Sequence, residues 1–197
     1  MTKKLLIFLY LLLVNVFVWA GDLHFFREDL TFEITDDSYF CVDGEYYFRN
    51  SSMKTLKQVL FYPFPQDSIY GEIESLMVIE INDPQNSKIS KFNSKGAFFK
   101  VEISPQSEKI YRISYRQKMK SNQAEYILLT TQRWKEPFEE IHYQLVFPLQ
   151  TKIEYISYSP DNIGVLNDKN VYFWEKKDFM PDRNFILKIE KKFETTN

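Results

Sequence analysis

The sequence predicts an all-β protein, an antiparallel β-sandwich of about ten or more strands. Beyond residue 30 the apolar residues recur with a period of two, not 3.6, and Pro, Asp, Asn and Ser close the alternating segments at short intervals. No stretch shows convincing amphipathic helical spacing. Aromatic residues make up 17% of the chain, with 18 Phe and 13 Tyr against 5 Gly, which suits strands that present broad side chains to a packed interior. A β-barrel is the alternative architecture for the same pattern.

Only the amino terminus departs from this pattern. Lys3 and Lys4 precede the apolar run from Leu5 to Val14, and Val18-Trp19-Ala20 follows, so residues 1–20 read as a cleavable secretory signal cut after Ala20. The alternative, a retained anchor, is weakened by Asn15, which interrupts a stretch of marginal length for spanning a bilayer. Gly21 stands at the cut where a lipoprotein would need cysteine. The expected organisation is therefore a signal over 1–20, one sandwich domain over 21–190 and a polar tail over 191–197, with no membrane span after cleavage and a periplasmic or secreted location. His24 would fall in a frayed new amino terminus.

The strands follow in order. Leu30, Phe32 and Ile34 alternate up to Asp36-Asp37-Ser38, and Phe40, Val42, Gly44, Tyr46 and Phe48 share one face of a second strand that is expected to bend or bulge at Gly44. Leu56 to Tyr62 is stopped by Pro63 and Pro65. Ile73 to Ile81 is more continuously apolar than the other strands, as if covered on both faces, and ends at Asn82-Asp83-Pro84. Ala97 to Ile103, Ile110 to Met119 and Ala124 to Thr130 alternate, after which Trp134 to Glu140 with Pro137 suggests a turn or short helical piece. Ile141 to Phe147, Ile153 to Tyr158, Val171 to Trp174 and Phe185 to Ile189 complete the set, with Ser159 to Asn170 as a long loop.

Charge and cysteine usage narrow the function. Loss of residues 1–20 removes Lys3 and Lys4 and no acid, so the net charge of −2 becomes −4, the wrong sign for a nucleic-acid surface. Cys41 is the only cysteine, so no internal disulfide can form, and it reads as a small half-buried hydrophobe.

Chemistry-bearing patterns are sparse. The two histidines, His24 and His142, have no close set of ligands in sequence, and His142 falls on the polar face of its strand. There is no Gly-x-Ser-x-Gly elbow, no phosphate-cradling glycine loop and no dinucleotide fingerprint, so no cofactor is expected. Glu72 and Glu74 would share a strand face, and read as a solvated edge. Asp161, Asn162, Asn167 and Asp168 offer oxygen ligands of the kind calcium takes, without EF-hand spacing. Surplus rings are the most distinctive feature, and Tyr47, Tyr62 and Trp134 are the candidates for binding by stacking.

Val42-Asp43-Gly44-Glu45-Tyr46-Tyr47-Phe48-Arg49-Asn50 and Val59-Leu60-Phe61-Tyr62-Pro63-Phe64-Pro65 together resemble the strand, Asn turn, strand and proline ending of vault/inter-alpha-trypsin-inhibitor domains and of exported bacterial β-sandwich proteins of unknown function. That resemblance implies an interaction module. The Asp-x-Ser-x-Ser motif of the von Willebrand A domain that accompanies it in inhibitor-type proteins is absent, so no metal site is implied. The expected protein is a non-enzymatic exported binding or structural module with a protein or glycan partner. A carbohydrate-binding module and a hydrolase with an unrecognised site are the alternatives.

Overall fold

The computed structural model describes residues 21–65 and 68–190; the expected signal, its cut at Ala20 and the polar tail 191–197 lie outside the described residues. The strands are β1 (Leu23–Ile34), β2 (Tyr39–Asn50), β3 (Leu56–Pro63), β4 (Tyr70–Glu80), β5 (Asp83–Ser87), β6 (Ile89–Asn93), β7 (Gly96–Ile103), β8 (Ser107–Met119), β9 (Gln123–Tyr126), β10 (Phe138–Pro148), β11 (Ile153–Ile156), β12 (Asn162–Leu166), β13 (Lys169–Phe179) and β14 (Phe185–Ile189), with a 3-10 helix at Leu129–Trp134. Among the described residues no helix is long and apolar enough to cross a membrane.

One eight-stranded sheet runs β12-β13-β10-β1-β2-β8-β4-β5, antiparallel except where β1 lies parallel to β10. Two three-stranded sheets, β11-β14-β9 and β3-β7-β6, form the other layer. Rings join the layers: Phe185 of β14 stacks on Phe32 of β1 at 4.4 Å, Tyr62 of β3 meets Tyr46 of β2 edge-on at 5.7 Å, and Phe99 of β7 lies 6.1 Å from Tyr111 of β8. The protein is an all-β sandwich whose second layer is split in two.

The alternation read from Leu30, Phe32 and Ile34 and from Phe40 to Phe48 holds, with all of those positions buried, Gly44 included. Several expectations need correction. β1 begins at Leu23, and His24 is held by Glu136 at 2.8 Å and by Ser51 Oγ at 3.0 Å, so it does not fray. A register shift between Phe25 and Arg27 sends both Phe26 and Arg27 outward and breaks the period of two there. No bulge occurs at Gly44, which pairs in register with both Leu30 and Ile113. The glycine answers a different need, because a Cβ there would lie 2.8 Å from Tyr46 Cε2 and 2.9 Å from its hydroxyl. The Tyr46 ring lies over the glycine, and Leu30 closes the space beside it.

β4 is covered on one side only: Val78 is fully buried while Ser75 and Met77 are exposed. β5 forms beyond Ile81 with Pro84 inside it, as an edge strand permits. The strand expected to run to Thr130 stops at Tyr126, and the 3-10 helix starts earlier than the Trp134–Glu140 segment where a short helical piece was expected. Ser159 to Asn170 is not one long loop. It contains β12, joined to β13 through Asn167 and Asp168, both with positive φ (49° and 58°), as a tight hairpin turn requires.

Candidate functional site

The split second layer leaves a cavity of about 270 Å³ at its seam, under the 3-10 helix. Phe25, Tyr46, Phe48 and Ile113 of the large sheet form its floor, Leu60 and Tyr62 of β3 one wall, and Tyr126 with Ile127 the other. Trp134 closes the top, 5.9 Å from the rings of both Phe25 and Phe48. The helix is held there because Asn184 Oδ1 accepts the Leu128 and Leu129 backbone N–H groups at 3.1 and 3.0 Å, and because Lys135 in left-handed conformation ends it. Thr130, Thr131 and the exposed Arg133 line the same space.

One carboxyl group reaches this apolar space. Glu28 is in phase with Leu30, Phe32 and Ile34, and is only 2% exposed. Its register partner on β2 is Tyr46, and a network of four tyrosines leads from its carboxyl group. Tyr143 donates to Glu28 Oε1, and Tyr126 donates to Oε2 at 3.3 Å. Tyr126 meets the Tyr46 hydroxyl at 3.0 Å, which meets that of Tyr62 at 2.8 Å. Burial pushes the Glu28 carboxyl up to about 8 against the pull of its two tyrosine hydrogen bonds, so it holds its proton at neutral pH. Burial also raises Tyr46, Tyr62, Tyr126 and Tyr143 well above the usual phenol range, which keeps the network uncharged.

Of the aromatic candidates, Tyr62 and Trp134 come together in this cavity. Tyr47 points to the opposite face, with its hydroxyl on Asp29 and Glu45 and its ring 4.9 Å from the Arg27 guanidinium. The key residue missed in the sequence is Glu28. A signal was present, since a carboxylate two residues before Leu30 in a core phase is costly unless hydrogen-bonded.

Glu72 and Glu74 are both exposed, and Glu74 accepts the Tyr39 hydroxyl at 3.0 Å. The four oxygen-bearing residues Asp161, Asn162, Asn167 and Asp168 do not gather around one point: Asp161 and Asn162 stand at one end of β12 and Asn167-Asp168 at the other. Asp161 is committed to Lys176 and to the Glu175 backbone N–H. Cys41 is half-buried in β2, and burial pushes its thiol up. Around His142, however, the fold assembles what the sequence does not show, with Glu140 and Glu175 close to its ring.

No known protein family and no curated protein matches the sequence. Solved structures do share the fold. A Legionella pneumophila protein described as a "putative nutrient binding protein" superposes with a TM-score of 0.68, covering 85% of this chain and 67% of its own at 12% identity. A mutant form of the M1 zinc metallopeptidase of Deinococcus radiodurans gives 0.50, covering 85% of this chain and 42% of its own at 8% identity. This chain therefore spans about two thirds of the first and less than half of the second. At such identities the likeness establishes the sandwich and nothing about activity.

Proposed function

We propose that this chain is an exported, non-enzymatic binding module that takes a small, largely apolar molecule into the cavity at the seam. The observation that carries the reading is the combination of ring-lined walls with one convergent polar network, Glu28 and its tyrosines, in a space of about 270 Å³. Small-molecule sites share that combination of apolar walls and a few placed polar groups. Tyr126 spends its one proton on Glu28, so Tyr46 donates to Tyr126 and Tyr62 to Tyr46, which leaves lone pairs on the Tyr62 and Tyr46 hydroxyls to accept from a ligand's own donor, and Arg133 stands at the rim. Among the described residues the hydrogen bonds to the Glu28 carboxyl come from tyrosines, which favours an anchor over an acid-base catalyst. Export is supported by the basic, apolar and small-residue order of residues 1–20. The Legionella protein's description supports a binding role, and so does the resemblance of the 42–65 segment to exported sandwich modules.

A panel of phenol, indole, benzoate and medium-chain fatty acids, screened by melting temperature and followed by calorimetry, tests the reading. At least one compound should bind saturably at one per chain. Thr130→Trp, which adds bulk at the cavity's edge, should weaken it by about tenfold or more with an unchanged circular dichroism spectrum. A silent panel, or equal binding by Thr130→Trp, would overturn the proposal.

A further inference from the structure

We infer that the outer face of the large sheet carries a site for a divalent transition-metal ion of the zinc class, with Glu140, His142 and Glu175 as ligands and Asp29 as the residue that positions the histidine. The site lies on the face away from the cavity and is independent of the function proposed above.

Strand register builds it. Glu140 and His142 are two residues apart on β10 and so share a face, Glu175 of β13 pairs directly with His142, and Asp29 of β1 pairs with His142 from the other side. His142 Nδ1 lies 2.9 Å from Asp29 Oδ1. An ionised carboxylate can only accept, and Arg27 Nη2, which approaches Nδ1 at 3.2 Å, already donates to Asp29 Oδ2 at 2.7 Å, so the shorter contact to Asp29 Oδ1 assigns the proton to Nδ1. That leaves the Nε2 lone pair facing Glu140 Oε1 at 3.6 Å and Glu175 Oε1 at 3.9 Å. Three electron-pair donors thus converge on one point.

The spacing suits a metal. Zinc takes nitrogen and carboxylate oxygen at about 2.0–2.2 Å, which sets ligand atoms in a tetrahedron roughly 3.3–3.6 Å apart. The ligand atoms here already lie within 4.8 Å of one another, so the exposed Glu175 side chain needs only a small rotation. The surroundings match as well. An Asp on the far nitrogen of a ligating histidine fixes its tautomer and aim, and Arg27 holds Asp29 at 2.7 Å and the second oxygen of Glu140 at 3.2 Å, turning Oε1 of Glu140 toward the histidine.

Charge favours a cation too. The row Glu175, His142, Asp29, Glu45 is acidic, the next residue in it, Arg112, is committed to Asp43, and Lys177, paired in register with Glu140, forms no ion pair among the described residues. A single histidine with carboxylates, and with room for water in the fourth position, points to zinc or cobalt and away from the all-oxygen sets that calcium takes.

Metal-stripped full-length protein titrated with cobalt(II), and then with zinc by calorimetry, provides the test. One cobalt should bind per chain with the visible absorption of a four-coordinate ion, and zinc should displace it. His142→Ala and Glu175→Gln should each abolish that absorption, and Asp29→Asn should weaken binding roughly 10- to 100-fold. Both ligands are at least partly exposed, and Glu175→Gln leaves the core untouched, so a folded variant is available even if His142→Ala is not. No saturable binding, or binding indifferent to Glu175→Gln, would overturn the inference.

Discussion

Glu28 and Asp29 are neighbours on β1, and the pleat sends them into opposite environments. Glu28 is 2% exposed among tyrosines, and burial raises its carboxyl to about 8. Asp29 also loses water, but the hydrogen bonds from Arg27, His142 and Tyr47 outweigh that and hold its carboxyl below the ordinary range. The inner group keeps its proton in a network that stays neutral, and the outer one is an anion in a network built from charges. A strand in a sandwich is thus two surfaces with separate chemistry, and the difference between them can be measured residue by residue.

The largest contrast should appear at Phe32 and Thr31. Phe32 is fully buried and stacks on Phe40 at 5.8 Å and Phe185 at 4.4 Å, so Phe32→Ala should cost about 3–5 kcal/mol in urea denaturation. Thr31 faces outward and its hydroxyl accepts from Gln144 at 2.9 Å, so Thr31→Ala should cost about 1 kcal/mol or less. Similar losses at the two positions would mean that the inner and outer faces are not distinguished as described.

Glu28 should come next. Glu28→Ala removes the acceptor of the buried Tyr143 hydroxyl and should cost about 2–3 kcal/mol. The pH dependence sharpens the comparison. The folded state binds the Glu28 proton more tightly than the unfolded chain, whose value is 4.5. This contribution to stability is therefore fully present below the unfolded value and is lost as pH rises towards about 8, at up to roughly 1.4 kcal/mol per pH unit. Glu28→Gln keeps one oxygen to accept from Tyr143, puts an amide donor opposite Tyr126 and has no proton to lose, so it should flatten that slope between about pH 5 and pH 8 in urea titrations. A variant with the wild-type slope would show that Glu28 is not the group responsible.

How much of this was legible in the sequence follows from the same geometry. Where one face is core and the other solvent, as in Phe40 to Phe48, alternation is written directly in the residues and the strand was found. Where a bulge shifts the phase at Phe25 to Arg27, the period disappears from the text, and with it the first half of β1 and the core position of Glu28. β12 was missed for another reason: Ile163, Val165 and Leu166 are all exposed, so the apolar pattern there records no burial. The sequence shows Tyr62 and Trp134 as rings without their cavity, and His142 without its carboxylates, because both groupings depend on cross-strand register. Only pairings such as His142 with Asp29 and Glu175 bring these side chains together, and a single sequence does not state them.

The smallest effect is expected at Asp29. Its carboxylate is about a quarter exposed, at 23%, and it sits in a cluster with one guanidinium and several competing acids. Ion pairs near the surface contribute about 1 kcal/mol or less, because water screens the attraction and ordering two side chains costs entropy. Asp29→Asn keeps one oxygen to accept from His142 and turns a donor amide toward the Tyr47 hydroxyl, which can accept, so its melting temperature should stay within a few degrees of wild type, and its urea midpoint should shift much less than that of Glu28→Ala. The two substitutions occupy adjacent residues of one strand, so strand propensity and sheet position are nearly constant between them. A loss at Asp29 as large as at Glu28 would place the outer cluster among the elements that hold the sandwich together, and a small loss leaves it available for binding.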